Sequence, residues 1–214
     1  MNDCVTDAPV SSYHHGNLRE ALLDAAVVSI REQGADKLSL RALARSVGVS
    51  QTAPYRHFAD KNELLVELAR QAFDEIAEAT TACITPDADC HTNMQAAGEA
   101  YLRYAISHPE KYRLLFGTTI DRREQYPQLM ASGHRAFEVL VKLIDEGVQR
   151  GEFIQEPVIL LSNICWSGIH GFASLWIDGI FARRQLPTDL ETMLTSQIRA
   201  TVRSISTRPA TVIF

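Results

Sequence analysis

Apolar residues recur at three- and four-residue intervals along most of the chain, the period of an amphipathic helix, and no alternating run is long enough to predict a strand. Leu18, Leu22, Ala25, Ala26 and Ile30 form one stripe, which predicts a helix over 17–33 that Gly34 ends. Ser39 is placed to cap a short helix over 40–47 with Leu40, Leu43, Ala44 and Val47 inward. Gly48 makes the next turn, and Ser50 is placed to cap a second short helix over 51–58. Asp60 then opens a long helix, 61–83, through Leu64, Leu65, Leu68, Phe73 and Ile76. Pro86 and its polar neighbours break the pattern. Helices are expected after it over 94–107, 109–116, 128–149, 157–184 and 188–204, with a loop over 117–127. Pro109, Pro157 and Pro187 stand at helix starts, where the missing N–H costs nothing. The Phe153-Ile154 pair is too short for a strand. The expectation is an all-α fold of about nine helices.

Composition changes this picture little: the chain of 214 residues is 46% hydrophobic and 22% charged, ordinary for a globular protein with a proper core. No apolar run is expected to reach the ~18 residues of a membrane span. The longest candidate, 158–180, is interrupted by Asn163, Ser167, His170 and Asp178. The N-terminus lacks a basic-then-apolar leader pattern, so a cytoplasmic protein is expected. Cys4, Cys83, Cys90 and Cys165 fit neither a zinc site nor a disulfide framework and read as reduced thiols, with Cys83, Cys90 and His91 flanking a loop.

Charge does change the picture. The net charge of −5 disfavours a nucleic-acid partner, but its distribution is uneven. Between Asp36 and Lys61 five basic residues (Lys37, Arg41, Arg45, Arg56, Lys61) face two acids, a net +3, which leaves −8 elsewhere. A basic patch on an acidic body is an electrostatic footprint for DNA.

That patch coincides with the physical parts of a helix-turn-helix: a short capped helix, a glycine turn, Val49 to fill the angle, and a second short segment with small residues. Gln51, Thr52, Tyr55 and Arg56 face outward on the second segment, where such an element enters the major groove with its N-terminal residues at the base edges. Ser39 and Ser50, the expected caps, are counted with the DNA-binding set, as is Arg41; of Arg41 and Arg45 on the first short helix one is placed to reach the DNA backbone, and Arg45 reads equally as a solvated residue. Phe58 reads as core. Pro54 is tolerated because little helix precedes it.

The run Leu40-Arg-Ala-Leu-Ala44, Gly48-Val-Ser50 and Tyr55-Arg-His-Phe58 followed by Asp60-Lys61 resembles the TetR family, strongly over residues 14–68. Tyr13-His-His-Gly-Asn-Leu-Arg19 and Cys165-Trp-Ser-Gly-Ile-His-Gly171 are similar to the subgroup whose C-terminal domain carries a Trp-x-x-x-His-Gly helix. The resemblance implies a three-helix DNA-binding domain (13–61), a connecting helix (62–85) and a helical ligand-binding and dimerisation domain (86–207). It also makes Tyr55, His57 and Lys61 phosphate contacts, and implies a homodimer, double-stranded DNA with a palindromic operator, and a small-molecule effector. No cofactor or metal is expected.

In the larger part, Trp166, Ile169, His170, Ala173, Trp176, Ile177 and Ile180 share one broad apolar face, with Gly168 and Gly171 allowing close helix approach. That face is the expected dimer interface: Gly168, Gly171, Ala173, Trp176 and Ile177. The aromatics Tyr101, Tyr104, Tyr112, Phe116 and Trp166, with His170, are the expected pocket, although a lone buried histidine is more often structural. An enzyme is disfavoured. His134 and Glu138 stand four apart on a helix without a third ligand, and there is no nucleophile motif or phosphate loop. A helical interaction protein without DNA binding is the remaining alternative.

Overall fold

The computed structural model describes residues 18–184 and 189–207. The expectations that fall on 13–17, on Cys4, and on Pro187 and Thr188 lie outside these residues. Among the described residues the chain is helical apart from one isolated bridge, and it divides into two compact units between Leu64 and Leu65.

The smaller unit holds α1 (Leu18–Gln33), α2 (Leu40–Ser46) and the start of α3 (Lys61–Ala82), with 3-10 turns at Ala35–Lys37 and Ala53–Arg56. Leu22, Leu23, Ala26 and Ile30 of α1 bury against Leu40, Leu43 and Ala44 of α2 and against Phe58. The Arg19 guanidinium lies 5.4 Å from the Phe58 ring centroid, a cation–π contact over an apolar core. After α2, the Val49 N–H donates to the Ala44 carbonyl and the Gly48 N–H to that of Arg45. This is a Schellman turn, and Gly48 sits at φ 74°, where a side chain would be strained. The start of α3 is fixed reciprocally: Asp60 accepts the Glu63 N–H at 2.9 Å, and Glu63 accepts the Ala59 N–H one residue before the cap, a variant of the capping box.

The larger unit continues α3 and adds α4 (Cys90–Ser107), α5 (Pro109–Phe116), a 3-10 turn at Arg123–Gln125, α6 (Pro127–Gln149), α7 (Val158–Ile177), the short α8 (Ile180–Arg183) and α9 (Leu190–Ile205). Helix α4 is central and packs against α6, α7 and α9. Phe153 is wholly buried over Gly147, and the Ile154 N–H donates to the Ile205 carbonyl, which ties the turn after α6 to the end of α9.

Three boundaries differ from the sequence expectation. Helix α4 begins four residues early because Asp89 accepts the Thr92 N–H at 2.7 Å; its first turn, Cys-His-Thr-Asn, carries no apolar signal. The helix expected over 157–184 breaks at Asp178-Gly179, where Gly179 takes φ 66° and α8 starts afresh. Helix α9 starts at Leu190, capped by Asp189 through the Thr192 N–H at 2.9 Å. Helix α7 also corrects the membrane reading. It is long and apolar enough to cross a bilayer by length and composition, yet Leu161, Cys165, Ile169, Phe172 and Ala173 are buried inside the unit.

Candidate nucleic-acid interface and ligand cavity

The segment after Gly48 is not the α-helix expected over 51–58. Gln51 and Thr52 form a turn and Ala53–Arg56 one turn of 3-10 helix. Pro54 is the cause. It has no N–H to give the Ser50 carbonyl, which accepts from Ala53 instead, and Tyr55 and His57 likewise bond three residues back. Ser50 is not a side-chain cap either; its hydroxyl meets that of Thr52 at 3.2 Å. Ser39 occupies the N-cap position of α2 without a side-chain bond. The geometry nonetheless gathers the site. Ser39, Arg41, Ser50, Gln51, Thr52, Arg56 and His57 are exposed, and Tyr55 is 47% exposed. An aromatic ring held in water beside a cation, an amide and hydroxyls is a surface for phosphate and base edges. Lys61 is half-buried and its ammonium donates to the Asp36 carbonyl at 2.9 Å, so its position is set.

The larger unit encloses a cavity of about 620 Å³, within the range of small-molecule sites. Helices α3, α4, α6, α7 and α9 and the end of α5 line it, with Ile76, Met94, Leu115, Leu143 and Val202 among its buried apolar walls. Of the six expected pocket residues, Tyr101, Phe116 and Trp166 line it. Tyr104, Tyr112 and His170 do not, which corrects their assignment. Tyr104 shares a helix face with Tyr101 but donates instead to Glu75 on α3 at 2.6 Å. Glu75 also receives Lys111 at 2.7 Å, and the neighbouring Asp74 receives Arg135 of α6 at 2.7 Å. Tyr112 and His170 form a second row behind Tyr101. The Tyr112 hydroxyl lies 2.9 Å from that of Tyr101 and 2.7 Å from His170 Nδ1, and Trp166 Nε1 donates to Tyr101 at 3.2 Å. Burial lowers the His170 pKa and raises those of both tyrosines, so all three are held neutral at pH 7.

Sequence reasoning missed the α6 wall (Leu129, Met130, Gly133, Phe137, Leu140) and Arg123. The helical period of α6 was readable, but nothing in it separates a cavity wall from filled core. Arg123 stands in a segment without period.

On α7 the expected dimer face requires a correction. Ala173 is fully buried within its own chain, and a Cβ at Gly168 would meet Gln197 and Thr201 of α9. The outward stripe is Leu160, Ile164, Gly171 and Leu175, roughly one helix face; Ile164 is 48% exposed and a Cβ at Gly171 would meet open space. Trp176 and Ile177 are half-buried.

One group has cation-ligand chemistry: Asp89, His91 and Glu152 offer atoms within 4.8 Å of one another. Each already has a partner. Asp89 caps α4, and Glu152 accepts the Cys90 N–H at 2.9 Å and meets His91 Nδ1 at 3.2 Å. Burial pushes the Cys90 and Cys165 thiols up to about 11, which makes both poor nucleophiles.

Against known proteins, residues 22–68 match the model of bacterial regulatory proteins of the tetR family, and residues 94–201 match the tetracycline-repressor-like C-terminal domain. An HTH-type transcriptional regulator of Mycobacterium tuberculosis is 23% identical over 199 residues, covering 80% of this chain and 85% of its own. An HTH-type transcriptional repressor of the same organism is 37% identical over 68 residues, 32% of this chain and 36% of its own. A solved structure of a protein of unknown function from Rhodococcus sp. RHA1 superposes with a TM-score of 0.80 at 27% identity, covering 92% of this chain and all of the other.

Proposed function

The chain belongs to the TetR family of DNA-binding transcriptional regulators, and from that premise we propose that it is a cytoplasmic homodimeric repressor released from a palindromic operator by a small-molecule effector. The observation that carries this reading is the exposed set Gln51, Thr52, Tyr55, Arg56 and His57 on one turn beyond the Gly48 corner. Gln51 and Thr52 read base edges; Tyr55, His57 and Lys61 hold phosphates; Ser39, Arg41 and Ser50 border them. The Mycobacterium tuberculosis relative that bears the name repressor, 37% identical over 68 residues, supports the sign of regulation. In this reading residues 13–61 bind DNA, 62–85 connect, and 86–207 bind the effector and dimerise.

The effector occupies the apolar cavity, where Tyr101, Phe116 and Trp166 are its aromatic contacts. The second copy covers Leu160, Ile164, Gly171 and Leu175 of α7, so that α7 and α9 of two chains make a four-helix bundle. An isologous pair of this kind presents two reading segments to two half-sites. No catalytic role is assigned to any residue.

A gel shift with the DNA upstream of its own gene tests the function. A retarded band that the unlabelled fragment competes away at much lower excess than random DNA supports it. Equal competition by both would leave the helical interaction protein as the better reading.

A further inference from the structure

The cavity is chemically lopsided. Its buried walls are mainly apolar, with Ile76, Met94, Leu115, Leu129 and Leu143 beside the hydroxyls of Thr80 and Thr201. Its exposed lining includes Glu124, Met130 and His134, on the 3-10 turn and the first half of α6. Between the two regimes stands Arg123, half-buried and bordering the cavity. Its guanidinium donates to the Leu114 and Leu115 carbonyls in the last turn of α5, the Leu115 bond at 2.6 Å. Those carbonyls carry only the partial negative charge of a helix C-terminus. No carboxylate among the described residues pairs with Arg123; Glu124 borders the same rim but is exposed and makes no ion pair with it. Burial, with no acidic group opposing it, lowers the Arg123 pKa from the ordinary guanidinium value.

A half-buried cation without a counter-charge is costly, and a ligand that brings the missing charge removes the cost. We propose that the ligand of this cavity is an amphipathic carboxylic acid, its chain or ring system against the apolar walls and its carboxylate on Arg123. The inference rests on the reading of the cavity as the effector site and adds the effector's class to it. Arg123 keeps N–H groups to spare after its two backbone bonds, and a guanidinium edge matches a planar carboxylate. A single cation balances a single negative charge. A dianionic head, such as a phosphate monoester, would leave one charge facing Glu124. A neutral lipid would leave Arg123 as it is, and an amine would add to its charge.

The test uses decanoate, decan-1-ol and decylamine at about pH 8, titrated into the full-length protein. Trp166 borders the cavity, and its fluorescence reports occupancy. Decanoate should bind about tenfold or more tightly than decan-1-ol, the worth of one charge-assisted hydrogen-bonded pair, and decylamine most weakly. Arg123→Gln should abolish the preference for acid over alcohol, with unchanged circular dichroism and thermal unfolding showing that the variant is folded. Arg123→Lys should keep part of the preference. Equal binding of acid and alcohol by the parent, or a preference that survives Arg123→Gln, overturns the proposal. Nile red, a neutral apolar dye, separates the two levels of inference. If it binds the parent and is lost in the cavity-filling Ala97→Trp variant while no acid preference exists, only the carboxylate assignment falls. If neither the dye nor any of the three probes binds, the effector reading of the cavity falls with it.

Discussion

Gly147 shows how a single atom decides packing. A Cβ there would lie 2.1 Å from the Phe153 ring, which is itself wholly buried. Gly147→Ala should therefore destabilise the fold by ~1–3 kcal/mol through overpacking, and Phe153→Leu should recover part of that loss in the double variant. Thermal unfolding of the three variants checks it; additive losses would mean that the two sites do not touch. His170 supplies a pH dependence at the same scale. Burial holds its folded pKa below the ordinary 6.5, so above that pH the ring is neutral in both states and contributes no slope. As pH falls below 6.5 the unfolded chain takes up a proton that the folded chain does not, and stability is lost until the folded pKa is reached. Denaturant titrations of the parent and His170→Asn between about pH 7.5 and 5.5 read this difference. The parent's advantage should shrink on acidification, and a constant difference between the two proteins would contradict the assignment.

Helices α7 and α9 show what an element's period can and cannot say. The apolar content of α7 is so high that two faces qualify as buried, and the sequence pattern alone does not choose between them. The fold chooses: Ile169, Phe172 and Ala173 turn inward, while Leu160, Ile164 and Leu175 remain in water. Ile164→Glu should therefore dissociate the proposed dimer and leave the helical content of the chain intact, read by light scattering and circular dichroism. Ala173→Glu should unfold the protein instead, because its carboxylate has no route to solvent within its own chain. A dimer mass unchanged by Ile164→Glu would move the interface off α7. The reading segment teaches the converse. Its residue types were sufficient to place Gln51, Thr52 and Tyr55 outward, but Pro54 made its hydrogen bonding 3-10 rather than α.

At the scale of the whole molecule, a chain at −5 binds DNA only where its charge is uneven, and the +3 segment of 36–61 supplies that. Lys61→Ala should weaken binding about equally on all sequences and reduce the salt slope by about one. Gln51→Ala should instead relax preference at one or two operator positions, by ~1–3 kcal/mol each. Fluorescence anisotropy over a salt series, with operator and with random DNA, distinguishes them. If both variants match the parent on both DNAs, the segment after Gly48 does not read the operator. Affinity for the two-half-site operator should also fall in the Ile164→Glu protein, since one chain alone makes half the contacts.

By itself the sequence determined most of the helices, the Gly48 corner, the outward polar set beyond it and the buried Phe58, because each follows from local rules: period, capping, backbone freedom at glycine, and charge within a short stretch. Asp89 and Asp189 as caps were equally local; the first was hidden by a polar first turn, and the second because Pro187 drew the expected start forward. The cavity, the inward side of α7 and the role of Arg123 were decided by tertiary structure. A cavity is a volume that side chains from several helices fail to fill, and no single helix's pattern records that failure. Tyr101 and Tyr104 have the same chemistry three residues apart on one helix face, yet one meets the cavity and the other Glu75, and only what stands opposite each decides which. Arg123 lies in a segment without period, and only the carbonyls that α5 brings to it, and the carboxylate that nothing brings, give its charge a meaning.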